Sequence, residues 1–400
     1  MRYKIIYILF IVATLLYGAW HVLGPLSVRH IMTIIMGFIC LIEYRRIYFD
    51  KYLGLYFIFV IFWGVSSFIT GYPSEFFHDF VGYVVVAYVA YWATVLLKRK
   101  YNSLQVLFYV IIAIGLFDSA VTVSQAFHVP VFDSILARLH LTVDNEIYLS
   151  RLSREDDMMG FSIPGIFESS VYNGHFLIMS TLFSLSLQKY RFRPIGMIIT
   201  AFLFIGLFFC QQRAPLFVSL LLFFFVVYKT YISGRNIWTK TATLIVLSII
   251  FVVLFVEYIP TLSLMGTRYT DGFSVKDDPR SAIYRFTIEW ISNHPFGNLY
   301  ELIQIKHPHN FFLNAFVYAG WIGGLFIIYN LFLQLVVVTK TLVKPINTSS
   351  FSILVLAVTY LGLTGNSMFH NISIVTGDAM TWITWAAFFV NARSFYPKLK

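Results

Sequence analysis

The feature that most constrains this chain is the repeated occurrence of apolar segments long enough to cross a lipid bilayer. Segments of about 15 to 25 apolar residues, enough for a helix to cross a hydrocarbon core about 30 Å thick, occur about twelve times. They lie near residues 5–23, 26–42, 52–70, 80–97, 104–127, 166–187, 194–210, 215–228, 241–258, 310–338, 350–365 and 374–391. The sequence therefore predicts an all-α polytopic membrane protein, with residues 1–400 forming a single membrane domain.

The composition agrees with this class of protein. Hydrophobic residues make up 58% of the chain and charged residues 12%, whereas soluble domains carry about a quarter charged residues. Cys40 and Cys210 are too few for a disulfide framework or a Cys-rich metal site, and they fall in different apolar segments. Arg2 and Lys4 precede the first apolar segment and no small-residue cleavage site follows, so we expect a retained span rather than a signal peptide.

Basic residues are concentrated in alternate connections between the predicted spans. These short connections hold most of the 29 Lys and Arg residues and almost no acidic residues. By the positive-inside rule they face the cytoplasm, and both termini are expected on that side. Topology thus accounts for the net charge of +10, and no nucleic-acid partner is predicted.

Two connections on the outer side are much longer than a helical hairpin requires. They span residues 128–165 and 259–309, and we expect both to be periplasmic. Long loops that share one face usually hold a functional site. Residues 281–293 of the second loop have apolar positions at helical spacing and predict an interfacial amphipathic helix, which Pro295 and Gly297 end.

Three arginines in outer segments are candidates for binding an anionic substrate. Arg213 lies in a short turn between two spans, where its guanidinium could bind a lipid-linked diphosphate. The alternative is an arginine that extends its charge to the membrane surface and binds nothing specific. Arg280 and Arg285 would point about 140° apart on a helix, so we expect one in a site and the other at a headgroup or carboxylate.

His309 and Asn310 stand where a polar loop enters an apolar helix. An imidazole titrates near neutral pH, so His309 could act as a general base or donate to a phosphate. The alternative is an interfacial histidine at a helix start, with Asn310 as the N-cap. Gly320 and Gly323 are predicted to be structural, because small residues let a neighbouring helix approach closely.

The acidic residues indicate a protein without a bound metal. Residues 155–157 and 277–278 are acidic clusters in polar loops, which are more typical of solvated charges than of metal ligands, so no metal or cofactor is predicted. Glu168, after the first long loop, is a candidate base or arginine partner. Asp118 and Asp378 lie in or near spans, where a buried acid could serve a proton relay and favour a transporter.

Three places together resemble the O-antigen ligase and O-antigen polymerase superfamily of bacterial membrane glycosyltransferases. The first is the pattern HNx9GxxG, formed by His309, Asn310, Gly320 and Gly323. In the preceding loop, Arg280 and Tyr284 are followed by the turn HPFG at 294–297, with Tyr in place of the commoner Trp and one residue fewer in the turn. The third is the segment QQRAPLF around Arg213, in which the family's neighbouring Ser and Gly are replaced.

The resemblance implies a metal-independent, inverting glycosyl transfer on the periplasmic face. The donor would be a glycan on undecaprenyl diphosphate, and an acceptor hydroxyl would attack its anomeric carbon. By analogy, Arg213 and Arg280 would hold the diphosphate, while His309 would deprotonate the acceptor or bind phosphate. Beside these, the predicted substrate-binding residues are Asn310, Arg285 and Glu168.

The motifs do not separate the activities within the superfamily. A polymerase uses a second lipid-linked glycan as acceptor, whereas a ligase uses lipid A core. We favour a polymerase because two long outer loops suit two glycans, with membrane lipids and a chain-length regulator as further partners. A polysaccharide or lipid transporter is the alternative from another class, and it would need midplane charges or repeated halves; the sequence offers mainly Asp118 and no repeat.

Overall fold

A computed structural model describes most of the chain. It covers residues 2–17, 21–23, 26–127, 129, 131–139, 163–167, 169–188, 194–232, 279–305, 308, 310–344, 350–370 and 372–395. Within these ranges, the side chains of residues 21–23, 133, 188, 231–232, 279–280, 303–305 and 395 are outside the description. The described residues are predominantly helical, with one antiparallel pairing of two short strands, β1 (His21–Leu23) and β2 (Leu26–Ser27).

The helices follow the apolar segments of the sequence. In chain order they are α1 (Arg2–Leu16), α2 (Val28–Tyr44), α3 (Lys51–Ile69), α4 (Pro73–Asp79), a π-helical segment (Phe80–Val85), α5 (Val86–Tyr101), α6 (Gln105–Ala126), α7 (Asp133–Arg138), α8 (Ser170–Ser184), a 3-10 turn (Leu185–Gln188), α9 (Pro194–Phe209), α10 (Arg213–Val227), a second π-helical segment (Tyr228–Ile232), α11 (Pro279–Asn293), α12 (Leu299–Ile305), α13 (Phe311–Val343), α14 (Phe351–Ser367) and α15 (Ala379–Phe395). Every predicted span within the described residues contains a helix, whereas 241–258 lies outside them.

Five of these helical stretches are long and apolar enough to cross a membrane. They are Lys51–Ile69, Pro73–Tyr101, Gln105–Ala126, Arg213–Thr230 and Phe311–Val343. The shorter apolar helices include α9 and α14. The architecture is therefore that of an all-α protein with several candidate membrane spans.

Helix α1 ends earlier than the first predicted span, residues 5–23. The structure ends α1 at Leu16 and places the strand pairing of β1 and β2 before α2. A short apolar run has the same hydropathy whether it forms a helix or a strand, so the sequence pattern could not locate this boundary.

The first compact unit joins both ends of the chain to its middle, and it comprises Met1–Leu107, Ser274–Lys344 and Leu363–Lys400. Within it α13 packs along α3, and α15 packs along α5. The buried Asn330 of α13 donates through Nδ2 to the backbone O of Tyr52 at 2.9 Å. Such interhelical hydrogen bonds help to hold helices together in lipid, where burial of apolar surface between helices adds little.

Basic residues predicted to face the cytoplasm lie at one end of this first unit. Lys100, near the end of α5, pairs with Glu43, near the end of α2, with 2.6 Å between Nζ and Oε1. Lys4, near the start of α1, has its Nζ 4.7 Å from the ring centroid of Tyr101. The start of α1 therefore lies beside the ends of α2 and α5, as expected for helices that alternate in direction.

The second compact unit comprises Phe108–Phe273 and Pro345–Gly362. Helix α8 packs against both α9 and α10. Leu177, Leu207 and Leu216 form a buried apolar cluster together with Cys210. This cluster fixes the turn between α9 and α10, which leads into Arg213.

Candidate functional site

Asn310 fixes the start of α13. Its Oδ1 accepts hydrogen bonds from the backbone N–H groups of Phe312 and Leu313, at 2.9 and 3.2 Å, so Asn310 is the N-cap. Its Nδ2 donates to the backbone O of Met368 at 3.1 Å. Both polar atoms of this amide are thus engaged in holding the helix start within the first unit.

A break in α13 occurs at Gly320, whose backbone is non-helical with φ 66° and ψ −168°. In a regular helix the N–H of Trp321 would donate to the O of Val317. Here Trp321 N donates to the O of Pro295 at 2.9 Å, and Val317 O accepts from Asn298 N at 3.1 Å. The turn before α12 is therefore inserted into the hydrogen-bond ladder of α13.

This insertion requires two glycines. A Cβ atom on Gly320 would lie 2.3 Å from the O of Pro295, and one on Gly297 would lie 2.7 Å from the O of Val317. Both glycines also have positive φ, 66° and 75°, which residues with a Cβ rarely adopt. The turn at 294–297 and the glycine pattern of α13 are thus two halves of one backbone contact, which the sequence motifs did not reveal.

Gly323 serves a different contact. A Cβ atom here would lie 2.7 Å from the Cβ of Phe62 on α3. The absent side chain lets α13 and α3 approach closely at this level. Gly323 contributes to helix packing within the first unit.

Helix α11 carries the two arginines of the second long loop. The predicted helix is present as Pro279–Asn293, with Pro at the first position, where its missing N–H costs nothing. Arg285 is exposed. Arg280 lies in the first turn, and its side chain is outside the described part of the chain.

The end of α11 is held against α13 by aromatic residues. The buried Trp290 stacks on His294 with ring centroids 4.0 Å apart. The indole N–H of Trp321 donates to the backbone O of Ile291 at 3.0 Å. These contacts fix the direction in which α11 enters the inserted turn.

Two predicted site residues, His309 and Glu168, lie outside the described residues, and their roles stay predictions. Beside His309, Pro308 is buried and its backbone O accepts from Asn310 N at 2.8 Å. Among the residues that the structure covers, no group of three or more His, Cys, Asp or Glu side chains gathers as a metal site. Independence from metals also stays a prediction.

Arg213 is the first residue of α10 and is half-buried. The preceding Gln211 has φ 58°, a left-handed conformation that costs a residue with a side chain about 1 kcal/mol. Gln212 donates through Nε2 to the Oγ of Ser170 at 2.9 Å, and the thiol of Cys210 contacts the backbone O of Ser170 at 3.4 Å. The start of α8 thus holds the tight turn that presents Arg213.

The segment before α8 is anchored on buried polar side chains of α6. Asp118 accepts a hydrogen bond from Ile166 N at 3.0 Å. Gln125 both donates to and accepts from the backbone of Gly165, at 3.0 Å each. A Cβ atom on Gly165 would lie 2.2 Å from Asp118 Oδ1, so the segment approaches α6 too closely for any side chain. Asp118 therefore has a structural partner in the second unit.

The comparisons with known proteins bear on the same region of the chain. Residues 198–328 match the family model described as O-Antigen ligase. No curated protein and no solved structure shows a significant match. The matched region contains Arg213, Arg280, Arg285, His309, Asn310, Gly320 and Gly323.

The candidate membrane spans suggest a multi-pass membrane protein, and residues 198–328 are similar to the O-antigen ligase family. The match begins in α9 and ends in α13, beyond the break at Gly320. It thus includes the interlocked turn and helix that the motifs marked. The resemblance of this chain to the O-antigen ligase and O-antigen polymerase superfamily is thereby confirmed over residues 198–328.

Proposed function

We propose that this protein polymerises a surface polysaccharide, O-antigen or capsule, in the bacterial inner membrane. It transfers a glycan from undecaprenyl diphosphate to a hydroxyl of an acceptor glycan on the periplasmic face. The observation that carries the proposal is the O-antigen ligase match at residues 198–328, which implies a membrane glycosyltransferase-like enzyme.

The positions of the predicted site residues support binding of a diphosphate. Arg213 is the first residue of α10, Arg280 is the second of α11, and His309 immediately precedes the N-cap of α13. Helix N-termini present unpaired N–H groups and the positive end of the helix dipole. Cationic side chains at such ends add to the positive charge of the helix dipole. A diphosphate is a multiply charged anion that such a position can bind through charge-assisted hydrogen bonds.

The proposed reaction is a direct displacement. The acceptor oxygen attacks the anomeric carbon from the face opposite the diphosphate, a C–O bond forms, and the bond to the diphosphate breaks with inversion. The leaving diphosphate takes the electron pair, and Arg213 and Arg280 offset its charge. His309 takes the proton of the attacking hydroxyl or binds phosphate.

The remaining predicted residues have supporting roles in this proposal. Arg285 contacts the substrates from the second long loop, Glu168 does so from the segment after the first long loop, and Asn310 does so in addition to its capping role. Gly320 and Gly323 shape the fold. The reaction uses no metal, so chelation with EDTA should leave transfer by the purified protein unchanged, and loss of transfer restored by Mg²⁺ would contradict this.

The experiment that tests the proposal is gel analysis of surface glycans in a deletion strain. The strain is complemented with wild type or with His309→Ala, and protein levels in the membrane are matched. Single repeat units joined to their carrier or to core, with the long ladder restored by wild type alone, would support a polymerase. A ladder restored equally well by His309→Ala would contradict the role of His309.

The second candidate is an O-antigen ligase that transfers the glycan to lipid A core. The description of the matched family favours it, since that description names the ligase. In the same experiment, a ligase predicts long chains that remain on undecaprenyl diphosphate and are absent from core. A chain-length regulator would change the ladder only for a polymerase.

A transporter or flippase is a weaker alternative. Its main support in the sequence was Asp118, an acid within a predicted span. The hydrogen bond from Ile166 N gives Asp118 a structural role that requires no transported proton. Accumulation of lipid-linked units on the cytoplasmic side of the deletion strain would nevertheless favour transport over polymerisation.

A further inference from the structure

A hydrogen bond within the first unit links the second long loop to the N-terminal part of the chain. The phenol O–H of Tyr300, in α12, donates to Oδ2 of Asp79 at 2.9 Å. Both residues are half-buried, and the Asp79 side chain is 24% exposed. Its Oδ1 lies 3.5 Å from Nδ1 of the exposed His78.

Asp79 stands on rigid helix rather than on a loop. It is the last residue of α4, where the helix continues into the π-helical segment Phe80–Val85. That segment packs against Gly377, where a Cβ atom would lie 3.0 Å from the backbone C of Tyr83. π-helical turns inside helices occur frequently at functional sites.

Tyr300 stands on the element that leads toward His309. Two residues before it, the backbone N of Asn298 donates to the backbone O of Val317 in α13 at 3.1 Å, so the start of α12 is already fixed to the helix break. On the other side of His309, Asn310 is held by Met368. Tyr300 of α12 and the N-cap Asn310 of α13 are therefore each bonded to a residue outside the family-matched region, Asp79 and Met368 respectively.

We propose that Asp79 is a positioning residue for glycosyl transfer: by accepting the phenol hydrogen of Tyr300, it holds α12 beside the break in α13, within the region that matches the O-antigen ligase family. This inference rests on the proposed function. A carboxylate is a stronger acceptor than a neutral oxygen, which suits a bond that must keep a short helix in place. Burial and the nearby Asp79 carboxylate raise the pKa of Tyr300, so its phenol stays protonated as the donor.

The test is a double-mutant cycle measured as transfer by the purified full-length protein in lipid, with lipid-linked glycan as donor and acceptor. Asp79→Ala and Tyr300→Phe should each lower kcat about tenfold, with the KM for the lipid-linked glycan unchanged. The double variant should be no worse than either single variant, because all three lack the same bond. Asp79→Asn keeps an acceptor oxygen and should recover most of the rate.

Two controls separate this role from a general effect on folding. Glu75→Ala removes an exposed carboxylate from the same helix, and Tyr72→Phe removes a phenol whose ring lies 5.7 Å from that of Tyr300. Both should keep wild-type kcat. Wild-type kcat in Asp79→Ala, or losses that multiply in the double variant, would overturn the inference. Absence of transfer in the wild type would instead overturn the proposed function.

Discussion

The left-handed backbone of Gly320 is the residue on which the inserted turn most depends. Its φ of 66° would be strained for any other residue, and its Cβ position lies 2.3 Å from the O of Pro295. Gly71 has φ 88° and nothing within 4 Å of its Cβ position. Comparison of alanine substitutions at Gly320 and Gly71 therefore separates the cost of backbone strain from the cost of steric overlap.

We expect Gly320→Ala to lower the free energy of unfolding by about 3 kcal/mol or more, because strain and overlap add. Gly71→Ala should cost about 1 to 2 kcal/mol, from strain alone. Thermal unfolding of both variants in detergent would measure the difference. Equal costs would mean that the turn moves away from α13 without penalty.

Asp118 distinguishes a structural acid from a proton carrier. Asp118→Asn keeps an Oδ1 acceptor for Ile166 N, and we expect it to retain polysaccharide synthesis. Asp118→Ala leaves that N–H without its acceptor and should destabilise the protein by about 1 to 3 kcal/mol. A fully inactive Asp118→Asn protein, present at normal level in the membrane, would instead indicate proton transfer.

At the scale of elements, α13 shows the limit of hydropathy patterns. Its apolar sequence predicted one span over 310–338, and the structure has a helix at Phe311–Val343. The break at Gly320 lies inside this run, and its neighbours are equally apolar, so the pattern carries no trace of it. The cause is a backbone contact with a turn more than twenty residues earlier. Contacts of that kind depend on the fold and not on the local sequence.

The start of α13 can be tested through its cap. Asn310→Ala removes both the cap and the donor to Met368, whereas Asn310→Ser keeps a capping oxygen and loses only the donor. We expect the alanine variant to be less stable than the serine variant by about 1 kcal/mol. Hydrogen exchange of residues 311–319 would report this difference, and equal protection would show that the cap contributes nothing.

Helix positions were largely predictable, while the contacts of the site were not. A long apolar segment in a bilayer forms a helix, because its backbone N–H and C=O groups must bond to one another in the absence of water. Type and spacing predict Arg213, Arg280 and His309 as site residues, since a charge beside a span is unusual, and their roles stay predictions. The sequence does not single out Asp79, because its proposed role depends on a hydrogen bond with Tyr300, 221 residues away.

At the scale of the whole molecule, orientation in the membrane is the prediction to test, and the basic ends of α1, α2 and α5 mark the side expected to face the cytoplasm. The test uses a protein in which the buried Cys40 and Cys210 are replaced. In this protein we expect Arg46→Cys to react with membrane-impermeant thiol reagents only from the cytoplasm. Ser74→Cys, beyond the far end of α3, should react from the periplasm. The reverse result would place the site on the wrong side for a periplasmic glycan.

The interrupted ladder of α13 has a mechanical consequence. A continuous helix transmits torsion along its whole length, because each turn is bonded to the next. At Gly320 the bond expected between Trp321 N and Val317 O is replaced by bonds to Pro295 and Asn298, so the turn is part of the ladder at this point. The part of α13 beyond Gly320 stays in register with α3 through Gly323. We therefore expect a displacement of the turn at 294–297 to bend α13 at Gly320, because the two backbones share hydrogen bonds there.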